Sequence, residues 1–183
     1  MVGKALNTDL AKVVELQEDG HTLLVRAGVG WKPGVVGKVT IEITENTSEG
    51  RALKTGEPMV SPDIQTETRF TYPPFLIDNG VRAVANVVII SGKGRPNFGI
   101  LQIDSRKPRY FNDRDIVFLR GYANLIAAAV DRLRLHHEML LEKEALETRV
   151  TERTHELMEA NTKLKVEAVE RERVEESPKS TVS

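Results

Sequence analysis

Few side chains that could catalyse a reaction stand close together in this sequence. Of the four histidines, His21 follows a turn, whereas His136, His137 and His155 lie in one long, highly charged segment. No combination of carboxylate, histidine and nucleophile with catalytic spacing surrounds any of them. His155 is therefore predicted to be a solvated helix residue, and not a phospho-acceptor.

Two glycine-rich stretches, Gly28-Val29-Gly30 and Gly92-Lys93-Gly94, suggest phosphate loops at first sight. Neither completes a dinucleotide or Walker fingerprint, and the second leads into a strand instead of a helix N-terminus. We predict that both are hairpin glycines. The chain contains no cysteine, which excludes disulfides, thiolate metal sites and a covalently attached bilin. The sequence thus predicts no enzyme and no metal site.

The chemistry that remains is that of a small-molecule binding site. Residues 65–80 are irregular and bring aromatic side chains next to charged ones. Binding pockets combine apolar walls with a few polar anchors. The alternative is a loop whose aromatic side chains only close the core. The candidate ligand-binding residues are Trp31, Arg69, Phe70, Tyr72, Phe75, Asp78, Arg82 and Asn86.

Composition favours a globular protein. Hydrophobic residues make up 40% and charged residues 29% of the 183 residues, with a net charge of −1, which argues against a disordered or membrane-spanning chain. No signal peptide is visible, so we expect a cytoplasmic protein. Residues 138–177 hold 12 acidic and 7 basic residues. An acidic segment of this kind argues against a nucleic-acid partner.

Before residue 112, short β-like segments alternate with turns. Asp19-Gly20 between two such segments is a strong hairpin signal. Ser48 is predicted to cap a short helix that Gly56 closes. Because the connections are mostly too short for parallel crossovers, we expect an α+β fold with a largely antiparallel sheet. The predicted strands are residues 12–17, 21–27, 38–43, 58–64, 83–90 and 98–104.

A single long helix is predicted from Asn112, its N-cap, to Glu176. A first apolar stripe, with 3-4 spacing, consists of Ile116, Leu119, Ala123, Ile126, Val130, Leu133, His137 and Leu140. A second stripe, of Phe118, Tyr122, Leu125 and Ala129, lies on another face. A helix with two apolar faces can bury one against the sheet and the other against a partner. The alternative is one wide stripe that faces the core.

Beyond Leu140 the apolar line of Leu146, Val150, Leu157, Asn161, Leu164 and Ala168 does not keep step with the first stripe. Such discontinuities locally unwind or overwind a coiled coil. Pro178 is predicted to end the helix. The residues predicted to form a homodimer interface are Phe118, Tyr122, Leu125, Ala129, Leu133, Leu140, Leu146, Val150, Leu157 and Leu164.

Several segments, in the same order along the chain, resemble a GAF domain, the small-molecule sensor module of bacterial signalling proteins. They are SEGRALKTGEPMVSPDI at 48–64, VRAVANVVI at 81–89, FGILQIDSRKPRYF at 98–111 and NDRDIVFLRGYANLIAAAVDRLR at 112–134. Residues 146–157 are similar to the connector that precedes the dimerisation helices of sensor histidine kinases. The resemblance implies a PAS-related, six-stranded antiparallel sheet between helical layers, with a ligand pocket opposite the terminal helices.

The resemblance also implies a domain organisation and a function. Residues 1–134 would form the sensory domain with a shortened N-terminal helix, residues 135–177 a signalling coiled coil, and residues 178–183 a disordered tail. The expected function is a non-catalytic sensor of two-component type that relays ligand binding through a parallel homodimer. The alternative is a ligand-free scaffold. The family's cyclic-nucleotide signature (N-K-x-F-D-E) is absent, so the ligand stays unassigned.

Overall fold

The computed structural model describes residues 6–92 and 94–175, in which six strands and three helices follow one another. Contacts divide the chain into two compact units, Met1–Arg132 and Leu133–Ser183. The predicted tail at 178–183 and the first five residues of the predicted N-terminal helix lie outside the described residues. The elements are β1 (Leu10–Leu16), β2 (Thr22–Val29), β3 (Thr40–Glu42), α1 (Ser48–Thr55), β4 (Met59–Ser61), α2 (Pro74–Asp78), β5 (Ala83–Ile89), β6 (Gly99–Ser105) and α3 (Asp113–Glu175).

The six strands form one antiparallel sheet in the order β3-β2-β1-β6-β5-β4. The predicted α+β class and six-stranded antiparallel sheet are therefore confirmed. Strands β5 and β6, next to each other within the sheet, are buried along their whole length. The edge strand β4 has only three residues and lies between Pro58 and Pro62, because proline cannot donate to a strand ladder.

The two faces of the sheet are covered differently. Since successive side chains of a strand point to opposite faces, β5 and β6 each contribute to two cores. Ala85, Val87 and Ile103 pack with Leu119 and Ala123 of α3. The opposite face forms two further apolar clusters, which include Val14, Val88 and Ile100 in one and Leu10 and Val84 in the other. Lys12, Asn86, Gln102 and Asp104 lie on this opposite face.

Capping side chains define where α1 and α3 start. The Thr47 hydroxyl, and not Ser48 as predicted, accepts the Gly50 N–H of α1 at 3.1 Å, so Ser48 is the first helical residue. Gly56 ends α1 in the left-handed conformation, as predicted, with a φ of 73°. In α3 the Asn112 side chain accepts the N–H of Asp115, whose carboxylate accepts the Asn112 N–H in return. This reciprocal pair is a capping box.

The first apolar stripe of α3 is the one that faces the sheet. Leu119 and Ala123 are fully buried, and Ile116, Ile126 and Val130 pack partly buried against the same core. In the second stripe Tyr122 is half-buried, whereas Phe118, Leu125 and Ala129 are exposed. From Leu133 to Arg173 nearly every side chain is exposed. None of the helices in the described part of the chain carries an apolar stretch long enough to cross a bilayer.

Candidate functional site

A row of polar side chains runs across three neighbouring strands on the face of the sheet away from α3. Lys12 of β1 pairs with Gln102 of β6, which pairs with Asn86 of β5. Directly paired residues point to the same face, and Asp104, two residues after Gln102, joins them. All four are at most 1% exposed. Burying polar groups in a strand core costs free energy unless they bind one another or a ligand.

Lys12 is held between a carboxylate and two aromatic rings. Its Nζ lies 3.3 Å from Asp104 Oδ2, 4.5 Å from the centre of the Trp31 ring and 5.5 Å from that of Phe75. Burial lowers the pKa of Lys12 and raises the pKa of Asp104, while the partner's charge opposes each shift. Each charge therefore depends on the other one.

The position of Trp31 is set by the backbone around it. Its indole Nε1–H donates to the Ala11 carbonyl at 2.9 Å, and its ring centre lies 5.7 Å from that of Phe75 in a tilted arrangement. A Cβ at Gly28 would lie 2.8 Å from Trp31 Cδ1, so only glycine leaves room for the ring. These contacts place an aromatic wall beside the Lys12 ammonium.

Helix α1 adds a hydroxyl and a carboxylate to the strand residues. Asn86 Nδ2 donates to Ser48 Oγ at 2.9 Å, and Ser48 Oγ donates to Glu49 Oε2 at 2.9 Å. Ser48 and Glu49 are both buried. We name the group that results the buried polar cluster; it consists of Lys12, Ser48, Glu49, Asn86, Gln102 and Asp104.

A second chain of hydrogen bonds borders this cluster. Ser61 donates to Glu67 Oε2 at 2.8 Å, so the short contact between Ser61 and Tyr72 uses the proton of Tyr72. Arg69 donates to Glu67 Oε1 at 2.9 Å and to Oε2 at 2.6 Å, and these bonds lower the pKa of Glu67 to about 2. Burial, with smaller contributions from Glu67 and Glu49, raises the pKa of Tyr72 to about 12.

Acid should weaken the fold through Glu67. Its pKa is about 2 in the folded state against an ordinary 4.5, so the folded chain binds fewer protons between these values. Its stabilisation is present above about pH 4.5 and is lost as the pH falls through about 2. We expect the free energy of unfolding of Arg69→Gln to decrease less steeply with falling pH in that window, because the variant lacks the arginine that lowers the pKa of Glu67. Urea denaturation at a series of pH values measures this slope. Lys38→Gln, the same charge change at an exposed site, should leave the slope unaltered.

The structure brings some of the eight predicted ligand residues together. Asn86 is in the buried polar cluster, Trp31 and Phe75 adjoin it, and Tyr72 borders it. Arg69 is bound to Glu67 and lies 5.0 Å from the Phe70 ring centre. Arg82 and Asp78 are engaged elsewhere: Arg82 Nε donates to Asp63 Oδ1 at 2.9 Å, and the carbonyl of the exposed Asp78 accepts from Lys32 Nζ.

Five members of the buried polar cluster were not among the predicted residues: Lys12, Ser48, Glu49, Gln102 and Asp104. A signal for three of them exists in the sequence. Lys12, Gln102 and Asp104 are polar residues at inward positions of strands whose other residues are mostly apolar. Ser48 and Glu49 carry no comparable signal, because a polar pair in the first turn of a helix is ordinary.

Comparison with known families agrees with this architecture. Residues 1–130 match the family model described as the GAF domain. The chain belongs to the GAF family. GAF domains are sensory and signalling modules in diverse proteins and are generally non-catalytic and regulatory. The resemblance seen in the sequence is confirmed to that extent. A search of curated proteins finds no match.

Solved GAF structures share the fold at low sequence identity. The GAF domain of a phosphoenolpyruvate-protein phosphotransferase from Coxiella burnetii is 19% identical, with a TM-score of 0.65 over 75% of this chain and 80% of that one. A domain from Sinorhizobium meliloti assigned to a two-component sensor histidine kinase is 18% identical, with a TM-score of 0.60 over 75% and 89%. The PixJ GAF domain of Thermosynechococcus elongatus is 21% identical, with a TM-score of 0.61 over 77% and 84%.

Proposed function

We propose that this chain is a cytoplasmic sensory module that binds a small molecule at the buried polar cluster and relays binding through a dimer of α3. The observation that carries the proposal is the buried polar cluster itself. It lies on the face of the sheet opposite α3, and it contains polar atoms that have no partner among the described residues. Purely structural cores rarely keep such groups, whereas binding sites use them as anchors.

Heptad spacing supports the dimer. Leu146 follows Phe118 by 28 residues, and Val150 follows Tyr122 by the same number, so the exposed second stripe and the distal apolar line share one register. Leu157 and Leu164 continue it. Their exposed fractions are 70% and 64%, so both side chains are free to pack against a partner helix.

A physical link connects the cluster to α3 within the first unit. Strands β5 and β6 carry Asn86 and Gln102, and the connection between them contains Gly92. The Gly92 N–H donates to Asp131 Oδ2 of α3 at 2.9 Å. A shift of these strands on ligand binding would therefore be felt at Asp131, two residues before Leu133, from which nearly every side chain of α3 is exposed. This contact is our proposed relay.

Native mass spectrometry of the purified chain tests the proposal, because it reports stoichiometry and any retained ligand together. We expect a dimer at tens of micromolar and a retained small molecule whose occupancy falls in Asn86→Leu. A chain that is monomeric at that concentration contradicts the relay through α3.

A ligand-free scaffold is the second candidate. It is favoured by one observation: Arg69 and Arg82, the two arginines among the predicted ligand-binding residues, are already bound to Glu67 and Asp63. They therefore do not offer unpaired cations for an anionic ligand. A dimer that retains no small molecule, and whose spectrum Asn86→Leu leaves unchanged, would favour this candidate.

A further inference from the structure

Three oxygen atoms of the buried polar cluster have no hydrogen-bond partner within the described residues. They are Glu49 Oε1, Asn86 Oδ1 and Gln102 Oε1. The three side chains that carry them are fully buried. A buried acceptor left without a partner costs about 1–3 kcal/mol, and native proteins contain few such groups. Three in one cluster therefore point to a bound molecule that supplies donors.

The hydrogen bonds around these atoms fix them as acceptors. The Ser48 hydroxyl donates its single proton to Glu49, so it can only accept from Asn86. The NH2 group of Asn86 must therefore face Ser48, and the Asn86 oxygen has no donor among the described residues. Gln102 Nε2 donates to Asp104 Oδ1 while Lys12 Nζ donates to Asp104 Oδ2, so both oxygens already accept a hydrogen bond and Gln102 is also fixed. Rotating either amide would lose a bond. The missing partner must consequently provide N–H or O–H groups.

The three acceptors border one region. Asn86 and Gln102 are paired across β5 and β6 and point to the same face. Ser48 connects Asn86 to Glu49 through two consecutive hydrogen bonds of 2.9 Å. Glu49 also acts electrostatically on both Lys12 and Asp104. The three oxygens therefore belong to one connected group of side chains.

The charges in the cluster indicate the charge of the missing partner. Among the buried residues that the structure describes, the ionisable ones are Lys12, Glu49 and Asp104. Lys12 is matched by Asp104 at 3.3 Å, which leaves the carboxylate of Glu49 with only the neutral Ser48 hydroxyl as its hydrogen-bond donor. One buried ammonium thus faces two buried carboxylates, so a cation that binds there gains from neutralising the excess negative charge.

We propose that the buried polar cluster binds a small organic cation of the guanidinium, amidinium or ammonium class, which donates N–H groups to Glu49, Asn86 and Gln102. This inference rests on the proposed small-molecule site and narrows its ligand class. The Trp31 and Phe75 rings already hold the Lys12 ammonium, and they form an aromatic wall beside the cluster.

Guanidinium and urea make a matched pair of probes, because they have nearly the same planar shape and differ in charge. Backbone amide shifts of the full chain are followed during titration with guanidinium chloride, methylammonium chloride, urea and, for ionic strength, sodium chloride. We expect one of the two cations to saturate below about 10 mM, since a few hydrogen bonds and one charge pair give millimolar affinity. The amides that shift should be those around Glu49, Asn86 and Gln102, with urea binding at least tenfold more weakly.

Two variants separate the site from general electrostatics. Glu49→Gln keeps the size of the side chain and its bond from Ser48, and it should weaken cation binding at least tenfold. Glu45→Gln removes an exposed carboxylate that pairs with Lys54 near the same helix, and it should leave binding unchanged. The comparison of guanidinium with urea needs only the parent chain, so it holds even where Glu49→Gln folds poorly.

Two results overturn the ligand class. In the first, urea binds as tightly as guanidinium. In the second, neither cation causes saturable amide shifts at the cluster, which is expected if ordered water alone satisfies the acceptors. If the chain forms a dimer that does not bind the cations but retains a neutral or anionic molecule in native mass spectra, this inference alone is overturned. The proposed sensory function would then stand.

Discussion

Replacing Lys12 by methionine is expected to destabilise the fold by about 3–5 kcal/mol, because it leaves the Asp104 carboxylate buried without its counter-charge. Both side chains have no exposed surface, and their charged atoms are 3.3 Å apart. Methionine occupies a similar volume, so the loss comes from the charge more than from a cavity. Urea denaturation of the parent and the variant measures the difference directly.

The double variant Lys12→Met with Asp104→Leu distinguishes two contributions to the free energy of unfolding. One is the destabilisation from leaving one charge unpaired, and the other is the stabilisation that the intact ion pair provides. Apolar replacement of a whole buried ion pair is often neutral or stabilising. We therefore expect the double variant to recover most of the loss, with a coupling free energy of at least about 2 kcal/mol. Lys54→Met, at an exposed lysine, is the control and should change stability little. If Lys12→Met changes the free energy of unfolding as little as this control does, Asp104 is not ionised.

The outcome bears on function as well as stability. If an apolar pair stabilises the fold equally well, stability does not explain the buried ion pair, and another role must. The row of Lys12, Gln102 and Asn86 indicates that this role is ligand recognition. A double variant that is stable but no longer retains a small molecule would support this. One that retains the same molecule as the parent would assign the pair to the fold alone.

The sheet could be predicted from the sequence because its signals are local. Alternating apolar residues, Asp19-Gly20 and Gly56 each mark a strand, turn or helix end within a few residues, and short connections imply antiparallel pairing. The boundaries moved by one to a few residues; the predicted strand at 58–64, for example, shortened to Met59–Ser61. Its flanking prolines explain that difference.

The site was harder to predict because it is made by pairing across long stretches of chain. Lys12 and Asp104 are 92 residues apart, and their contact follows from the register of β1 on β6. Arginines drew attention to residues 69–82, yet Arg82 is bound to Asp63. A polar residue inside an apolar strand was the more informative signal, since it has no solvent to face.

The helix illustrates the same limit. Its two apolar stripes were visible from spacing alone, but the spacing did not say which one the sheet would cover. The structure decides this at Leu119 and Ala123, which are fully buried, whereas Leu125 of the second stripe is 67% exposed. The part of the first stripe from Ile116 to Val130 thereby packs inside the domain, and the second stripe is available to a partner.

Placing a charge in the distal apolar line of α3 is expected to dissociate the proposed dimer. Leu157 lies in the register that runs from Tyr122 through Val150, and Leu157→Glu would bury two like charges opposite each other in a parallel pair of helices. We expect the dissociation constant to rise at least about a hundredfold, which corresponds to about 2.7 kcal/mol. Sedimentation equilibrium over a range of concentrations measures it.

The adjacent Met158 provides a matched control. It is 65% exposed against 70% for Leu157, so neither substitution disturbs packing within the chain itself. Met158 instead continues the register of Ile116 and Ala123, whose further positions in the distal helix, such as Glu144 and Thr151, are polar. Met158→Glu should consequently leave the dimer intact, with helix content by circular dichroism equal in both variants. If Met158→Glu dissociates the dimer and Leu157→Glu does not, the partner helix packs on the other stripe, and the continuity with Phe118 has no role in dimerisation.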